Sequence, residues 1–114
     1  MIPAAAVLLS ETAGDALASL EADTRDKSQA IARRARALRS ILLADCLHGE
    51  VVRKSAIPKA LRARYDLTNL YVEDLPGFWR LLHTVAKVDS RRVIIVVEIV
   101  GHKAYSQWFP GRRD

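Results

Sequence analysis

Two charged side chains stand inside stretches that otherwise resemble buried β-strands. Arg80 lies within residues 78–85, and Glu98 lies within the β-branched run of residues 93–100. A charge in such a strand is costly unless it is paired or has a function. Arginine suits bidentate contact with a phosphate, and a nearby carboxylate can orient it or neutralise it. The pair therefore indicates either a structural ion pair or a phosphate-binding site in which Glu98 orients Arg80.

A second group of reactive side chains follows directly after the last of these strands. His102, Lys103 and Tyr105 lie within four positions of one another. Imidazole transfers protons near neutral pH, an ammonium group neutralises a phosphate, and a phenol donates a hydrogen bond or stacks on a base. The cluster fits phosphate-ester chemistry, although its loose spacing is not specific to that chemistry.

The remaining candidates are better explained by structure than by chemistry. His83 falls on a strand face that we expect to be buried, Cys46 falls on the apolar stripe of a helix, and His48 stands near the end of that helix. Trp79 and Trp108 are expected to pack. No set of His, Cys, Asp and Glu has the spacing of metal ligands, and there is neither a glycine-rich phosphate loop nor a serine-centred elbow. We therefore expect no metal and no cofactor.

Length and charge set the class of molecule. The 114 residues fit one small domain, residues 1–114. The net charge of +5 is unevenly spread, because residues 25–64 hold eleven Lys and Arg against three acidic residues. This basic middle indicates either a polyanionic partner, such as RNA, DNA or an acidic protein, or a solvated helix face. No apolar run reaches the ~18 residues of a membrane helix, so we expect a cytoplasmic protein with no membrane partner.

Hydrophobic periodicity and turn residues predict the secondary structure. The predicted elements are a strand at residues 6–9, a helix from the cap Ser10 to about Glu21, a helix with an apolar stripe over residues 31–42 that stops at Gly49, a helical turn at residues 59–65, strands at residues 70–73, 78–85 and 93–100, a short helix or turn at residues 102–109, and a frayed tail at residues 111–114. The first two helices are close enough in sequence to form an antiparallel hairpin.

The fold class that follows is α+β, with the N-terminal strand and the helical hairpin packed on one face of a small antiparallel sheet. Side chains alternate across a strand, so residues 79–85 and 93–99 at odd positions should face the helices. Pairing Val85 with Val93 sets Arg80 opposite Glu98, which is favourable by about 0.2–1 kcal/mol. The opposite face, which carries this pair together with Thr84 and His102, is then expected to form a polar cleft.

Four segments carry a resemblance to a known family. They are Ile57-Pro58-Lys59, Asn69-Leu70-Tyr71, residues 75–82 (LPGFWRLL) and residues 98–105 (EIVGHKAY). With the order of elements, which extends over nearly the whole chain, they resemble the RelE-like branch of the RelE/ParE toxin superfamily. The resemblance implies a toxin of a type II toxin–antitoxin system that cuts mRNA on the ribosome without a metal. It also implies an antitoxin protein as partner.

The mechanism implied by this resemblance is attack of a ribose 2′-hydroxyl on the adjacent phosphate. Such a reaction needs a base, positive charge at the phosphate and an acid for the leaving oxygen. Arg80 matches the phosphate-contacting arginine of the family's central strand. Lys103 and Tyr105 fall in the segment that holds the family's C-terminal catalytic residues, and His102 is the natural proton carrier there.

One strand departs from the family pattern. Many RelE-like toxins carry Lys or Arg where residues 70–73 stand, but this strand offers Tyr71 and Glu73. Glu73 could serve as the base, and positive charge for RNA binding would then come from the preceding basic residues: Lys54, Lys59, Arg62 and Arg64. Two other interpretations remain, a ParE-like toxin that binds gyrase and a catalytically degenerate member that binds an antitoxin or nucleic acid.

Overall fold

The computed structural model describes residues 1–111. Its elements are β1 (Ala6–Leu9), α1 (Glu11–Ala22), α2 (Asp26–Ala44), β2 (Glu50–Val51), a first 3-10 turn (Lys54–Ala56), α3 (Lys59–Tyr65), β3 (Tyr71–Leu75), a second 3-10 turn (Pro76–Phe78), β4 (Trp79–Val88), β5 (Arg91–Val100) and α4 (His102–Trp108). Helix α2 ends well before Gly49, which belongs instead to the turn ahead of β2. The expected frayed tail lies outside the described residues, apart from Gly111.

The five strands form one sheet in the order β1-β5-β4-β3-β2. Strands β3, β4 and β5 are antiparallel neighbours, as expected, and the short strand β2, which was not among the predicted strands, pairs antiparallel with β3. Strand β1, however, runs parallel to β5, with Ala6 beside Val93 and Leu9 beside Val96. The sheet is therefore mixed. The α+β class is confirmed, and the expectation of a wholly antiparallel sheet was wrong at this edge.

Helices α1 and α2 form the predicted hairpin on one face of the sheet. Ser10 caps α1, because its hydroxyl oxygen accepts a hydrogen bond from the Ala13 amide at 3.0 Å. The same hydroxyl donates to the carbonyl oxygen of Val97 at 2.8 Å, which fixes the helix start to β5. The apolar stripe of α2 packs against Leu81 and neighbouring sheet residues in a first core. We call this side of the sheet the hairpin face.

A β-bulge decides which residues of β5 lie on the hairpin face. Leu82 is opposite Glu98, whereas His83 is opposite Val96, so Val97 is an extra residue in β5. The bulge reverses the alternation, and Ile94, Val96 and Ile99 all belong to the first core. The prediction for β4 was correct, but the prediction that residues 93, 95 and 97 face the helices was wrong because strict alternation does not pass through a bulge.

The partner of Arg80 also differs from the prediction, because Val85 lies opposite Ile94 instead of Val93 and the bulge shifts the pairing by one further residue. In the observed register Arg80 lies opposite Val100, and Glu98 lies opposite Leu82. The expected direct Arg80–Glu98 cross-strand pair was therefore wrong. Both residues nevertheless lie on the sheet face away from the hairpin, as predicted.

That second face is covered and is not the open cleft that we expected. Helices α3 and α4, together with Val52 and Ile57 on either side of the first 3-10 turn, lie over it and form a second core with the sheet. Its members include Leu61 of α3, Leu82 of β4, Val97 of β5 and Tyr105 of α4. We call this side the α3/α4 face. The polar residues of this face lie beneath or beside short helices.

Candidate functional site

Four of the predicted catalytic residues come together where β5 ends and α4 begins. Arg80 is paired with Val100, and Gly101 then leads into His102 at the start of α4. A side chain at Gly101 would meet the Trp79 indole at 3.4 Å, so the chain passes close against the start of β4 here. Arg80, His102, Lys103 and Tyr105 therefore belong to one region, which we call the sheet-end site.

Arg80 is buried at this site and held on several sides. Only 4% of its surface is exposed. Its Nε lies 3.1 Å from Oδ1 of Asp74, and its Nη1 donates to the Trp79 carbonyl oxygen at 3.1 Å. The guanidinium carbon lies 5.0 Å from the centre of the Tyr105 ring, a cation–π contact. The Asp74 side chain is itself 87% exposed, so the acidic partner of this buried cation lies at the surface.

Tyr105 supports Arg80 from the core and does not reach solvent. It is 2% exposed, and its ring packs on Phe109 with centroids 4.9 Å apart. The predicted role of Tyr105 as a group that contacts substrate therefore requires α4 to move. In the observed arrangement it covers the guanidinium of Arg80.

His102 and Lys103 are the accessible members of the sheet-end site. Both side chains are exposed on the first turn of α4. The His102 ring meets the Phe78 ring edge-on, with centroids 6.0 Å apart and an interplanar angle of 61°. Nε2 of His102 lies 3.4 Å from the Ser106 hydroxyl. Phe78, which was predicted to lie in a strand, belongs to the second 3-10 turn and is a neighbour of His102.

Glu98 lies on the same sheet face but is engaged by α3. It is 3% exposed, and the Tyr65 hydroxyl donates to its Oε2 at 2.6 Å. Arg64 adds a longer contact of 3.4 Å to the same oxygen. Glu98 therefore anchors the end of α3. No local pattern in the sequence indicates this contact, because the partners are more than thirty residues apart.

Glu73 lies across the sheet from the sheet-end site. It is opposite Leu81 in β3, which places it on the hairpin face, and it is 5% exposed. Nδ1 of His48 lies 2.8 Å from its Oε2 and 3.1 Å from its Oε1. Glu73 is thus not brought together with Arg80. His48, which we interpreted as a helix-end residue, is its partner.

His83 and Cys46 occupy the core near this pair, as their patterns predicted. Both are fully buried, and Nε2 of His83 lies 3.3 Å from the Cys46 carbonyl oxygen. The His83 ring stacks on Tyr71 with centroids 5.1 Å apart. Burial lowers the pKa of His83 to about 4, and burial raises the pKa of the Cys46 thiol. Neither group is placed for proton transfer or nucleophilic attack.

The four predicted RNA-binding residues lie around the first 3-10 turn and α3, and all are exposed: Lys54, Lys59, Arg62 and Arg64. Arg62 donates to the Lys54 carbonyl oxygen, and Arg64 is the contact of Glu98 described above. The arginines of α2 lie on the opposite face of the sheet and are exposed there: Arg33, Arg34, Arg36 and Arg39. The basic middle of the sequence is therefore divided between two faces.

No family model, curated protein or solved structure matches the chain. The RelE-like resemblance thus stays an expectation drawn from the sequence. Across residues 1–111, no helix has both the length and the apolar character needed to cross a membrane. Within the same residues, no group of three or more His, Cys, Asp and Glu side chains is arranged to hold a metal ion.

Proposed function

We propose that this protein is a RelE-like toxin of a type II toxin–antitoxin system, a cytoplasmic endoribonuclease that cuts mRNA on the ribosome without a metal. One observation carries the proposal. A buried arginine, Arg80, has a surface carboxylate as partner, and the accessible His102 and Lys103 begin the helix that follows Val100, the strand partner of Arg80. This arrangement brings a phosphate-binding cation and a proton carrier to one end of the sheet. Both of the longer segments that resemble the family meet there.

Because Asp74 is exposed, the substrate phosphate can reach Arg80 by displacing the Asp74 carboxylate from the surface side. A phosphate oxygen carries the same charge as the Asp74 carboxylate and can replace it at Nε of Arg80. The guanidinium then neutralises the phosphate at a position shielded from water, where electrostatic attraction is stronger than in bulk solvent. Tyr105 holds the guanidinium from behind through its cation–π contact.

The reaction then needs a base that removes the proton of the ribose 2′-hydroxyl and a proton source for the leaving 5′-oxygen. His102 accepts the proton of the ribose 2′-hydroxyl as its oxygen bonds to phosphorus. The bond from phosphorus to the 5′-oxygen breaks, and that oxygen takes a proton from a solvent water, which leaves a 2′,3′-cyclic phosphate and a 5′-hydroxyl. Lys103 adds positive charge as the phosphate becomes crowded. Glu98 supports this site indirectly by anchoring α3.

An antitoxin partner is supported by a groove on the hairpin face. The groove has a volume of about 300 Å³ and is lined by apolar side chains that include Val7, Leu17 and Leu38. The exposed Arg39 also lines it, as does Arg36, which forms an ion pair with Glu21 at 2.7 Å. An apolar segment with acidic residues would match this lining in both polarity and charge.

A binding function without catalysis is the second candidate. It is favoured by the burial of Arg80 and Tyr105 and by the position of Glu73 on the other face. A ParE-like gyrase inhibitor or a degenerate member that binds an antitoxin or nucleic acid would need none of these groups to reach a scissile phosphate.

The test is cleavage of mRNA on purified ribosomes, with the new ends mapped on the transcript. His102→Gln should lower the cleavage rate by about 10²–10⁴-fold, because it removes the proton carrier and keeps the size of the side chain. Arg80→Met should abolish cleavage, with circular dichroism used to confirm folding. Lys87→Met, which removes an exposed cation elsewhere in β4, is the matched control. Wild-type protein that leaves mRNA intact and blocks gyrase supercoiling would establish the second candidate instead.

A further inference from the structure

Phe78 is an aromatic side chain placed in solvent. It is 62% exposed, and among residues 1–111 it is the single aromatic residue with a largely exposed surface. Its neighbour Trp79 packs on the first core, and Tyr105 and Phe109 belong to the second. A phenyl ring kept in water loses the favourable burial that the other aromatic side chains gain.

The backbone at Phe78 holds the ring in this position. The second 3-10 turn has positive φ at two successive residues, 68° at Gly77 and 63° at Phe78. Glycine adopts such a conformation freely, but a residue with a bulky side chain does so at a cost in backbone strain. Strained residues of this kind concentrate at binding and active sites. Asn or Gly would suit this backbone better, so the ring itself is the feature that needs an explanation.

The surroundings of the ring match the chemistry of a nucleotide. His102 stands edge-on against Phe78, and the exposed Lys103 follows it in α4. Arg80, the proposed phosphate cation, comes two residues after Phe78, at the second position of β4. An exposed aromatic ring together with cationic side chains can bind an unpaired base and its phosphate, because any of the bases can stack on a flat ring.

We propose that Phe78 binds one unpaired nucleobase by stacking, with the His102 ring at its edge, next to the phosphate that Arg80 and Lys103 contact. This inference rests on the proposed function, because it names the part of the RNA that the sheet-end site holds. Phe78 is a positioning residue in this assignment. It fixes the base so that the adjoining ribose and phosphate lie beside His102 and Arg80.

A fluorescent oligonucleotide that cannot be cleaved tests the stacking. The probe is a short single-stranded 2′-O-methyl RNA with one 2-aminopurine, whose fluorescence falls when the base stacks. Wild-type protein should quench the probe. Phe78→Leu keeps an apolar side chain of similar size without the ring, and it should bind about tenfold to hundredfold more weakly without quenching. Phe78→Tyr should behave as the wild type does. Val88→Ala, which trims an apolar side chain exposed to a similar degree at the other end of β4, is the control and should change neither signal.

The possible outcomes separate this inference from the proposed function. Equal binding and equal quenching by wild type and Phe78→Leu would overturn the stacking assignment while RNA binding stands. Wild-type protein that binds neither the probe nor ribosomes would overturn both. If Phe78→Leu instead loses a protein partner while wild type fails to bind the probe, the ring is a protein contact and the base-binding assignment is wrong.

Discussion

The buried polar side chains of this protein differ in the hydrogen bonds that replace those they would make with water. Glu98 accepts a hydrogen bond from Tyr65, and Glu73 is held by His48. His83 uses Nε2 at the Cys46 carbonyl, but within the described part of the chain its Nδ1 has no hydrogen-bond partner. An imidazole in this environment is stable only in its neutral form, because protonation would bury an uncompensated charge.

The neutral state of His83 makes stability depend on pH. Its pKa is about 4 in the folded protein against an ordinary value of 6.5, so between these values the unfolded chain binds more protons. The contribution of neutral His83 to the free energy of unfolding should therefore be complete above pH 6.5 and should be lost as the pH falls toward 4. Between pH 7.5 and pH 5 we expect His83 to account for a loss of about 2 kcal/mol. Urea unfolding at both pH values measures this loss.

The control for this pH dependence is His83→Gln, which retains a donor for the Cys46 carbonyl and does not titrate. The variant should be less stable than the wild type at pH 7.5, but its stability should change less with pH, by the same ~2 kcal/mol. The two proteins differ at this one residue, so the difference between their pH dependences measures the contribution of His83. An identical pH dependence in the two proteins would assign the effect to other groups.

Gly49 is required by the approach of Glu73. Its φ is 98°, and a β-carbon there would collide with the Glu73 carboxylate and lie 2.9 Å from the Val72 carbonyl oxygen. Gly49→Ala should therefore lower the free energy of unfolding by more than ~1 kcal/mol, which corresponds to a drop in Tm of about 4 °C or more. Gly14→Ala is the matched control. It lies within α1, where the described structure leaves open space for a β-carbon, and it should stabilise the protein by about 0.5–1 kcal/mol. Equal effects of the two substitutions would contradict this assignment.

At the scale of secondary structure, strong local patterns were sufficient to predict the elements. The apolar stripe of α2 and the β-branched run of β5 each predicted the correct type of element, because each pattern repeats several times along the chain. The bulge could not be predicted, because Val96 and Val97 are identical in type and alternation cannot show which one is extra. The expected pairing of Val85 with Val93 was also one residue off, because Val85 lies opposite Ile94, and this shift together with the bulge moves Glu98 away from Arg80.

The short helices α3 and α4 explain why the second face of the sheet is covered and does not form the expected open cleft. Helices α3 and α4 have seven residues each, too few to show a clear apolar stripe, yet they cover the second face of the sheet. The face of Arg80 was predicted from alternation within β4, whereas its partner Asp74 was not. The His48–Glu73 contact joins residues that are distant in sequence, and it depends on how the chain enters β2.

At the scale of the whole molecule, the fold divides a charge that is continuous in the sequence. The basic residues of α2 lie on the hairpin face, and those of the first 3-10 turn and α3 lie on the α3/α4 face. Net charge alone therefore does not identify the RNA-binding surface. The proposed function selects the α3/α4 face, because the sheet-end site opens beside it.

Salt dependence distinguishes the two faces. A basic side chain that contacts a phosphate of single-stranded RNA releases counterions, so its loss should reduce the slope of log K against log salt by about 0.7. The double variant Lys54→Gln/Lys59→Gln should therefore bind a short single-stranded RNA more weakly and with a slope about 1.4 smaller. Arg33→Gln/Arg34→Gln removes the same charge from α2 and should leave the slope unchanged. If both double variants weaken binding alike, affinity follows net charge and not a defined surface. If the α2 variant alone loses affinity, RNA lies on the hairpin face, and the sheet-end site is not where the strand is cut.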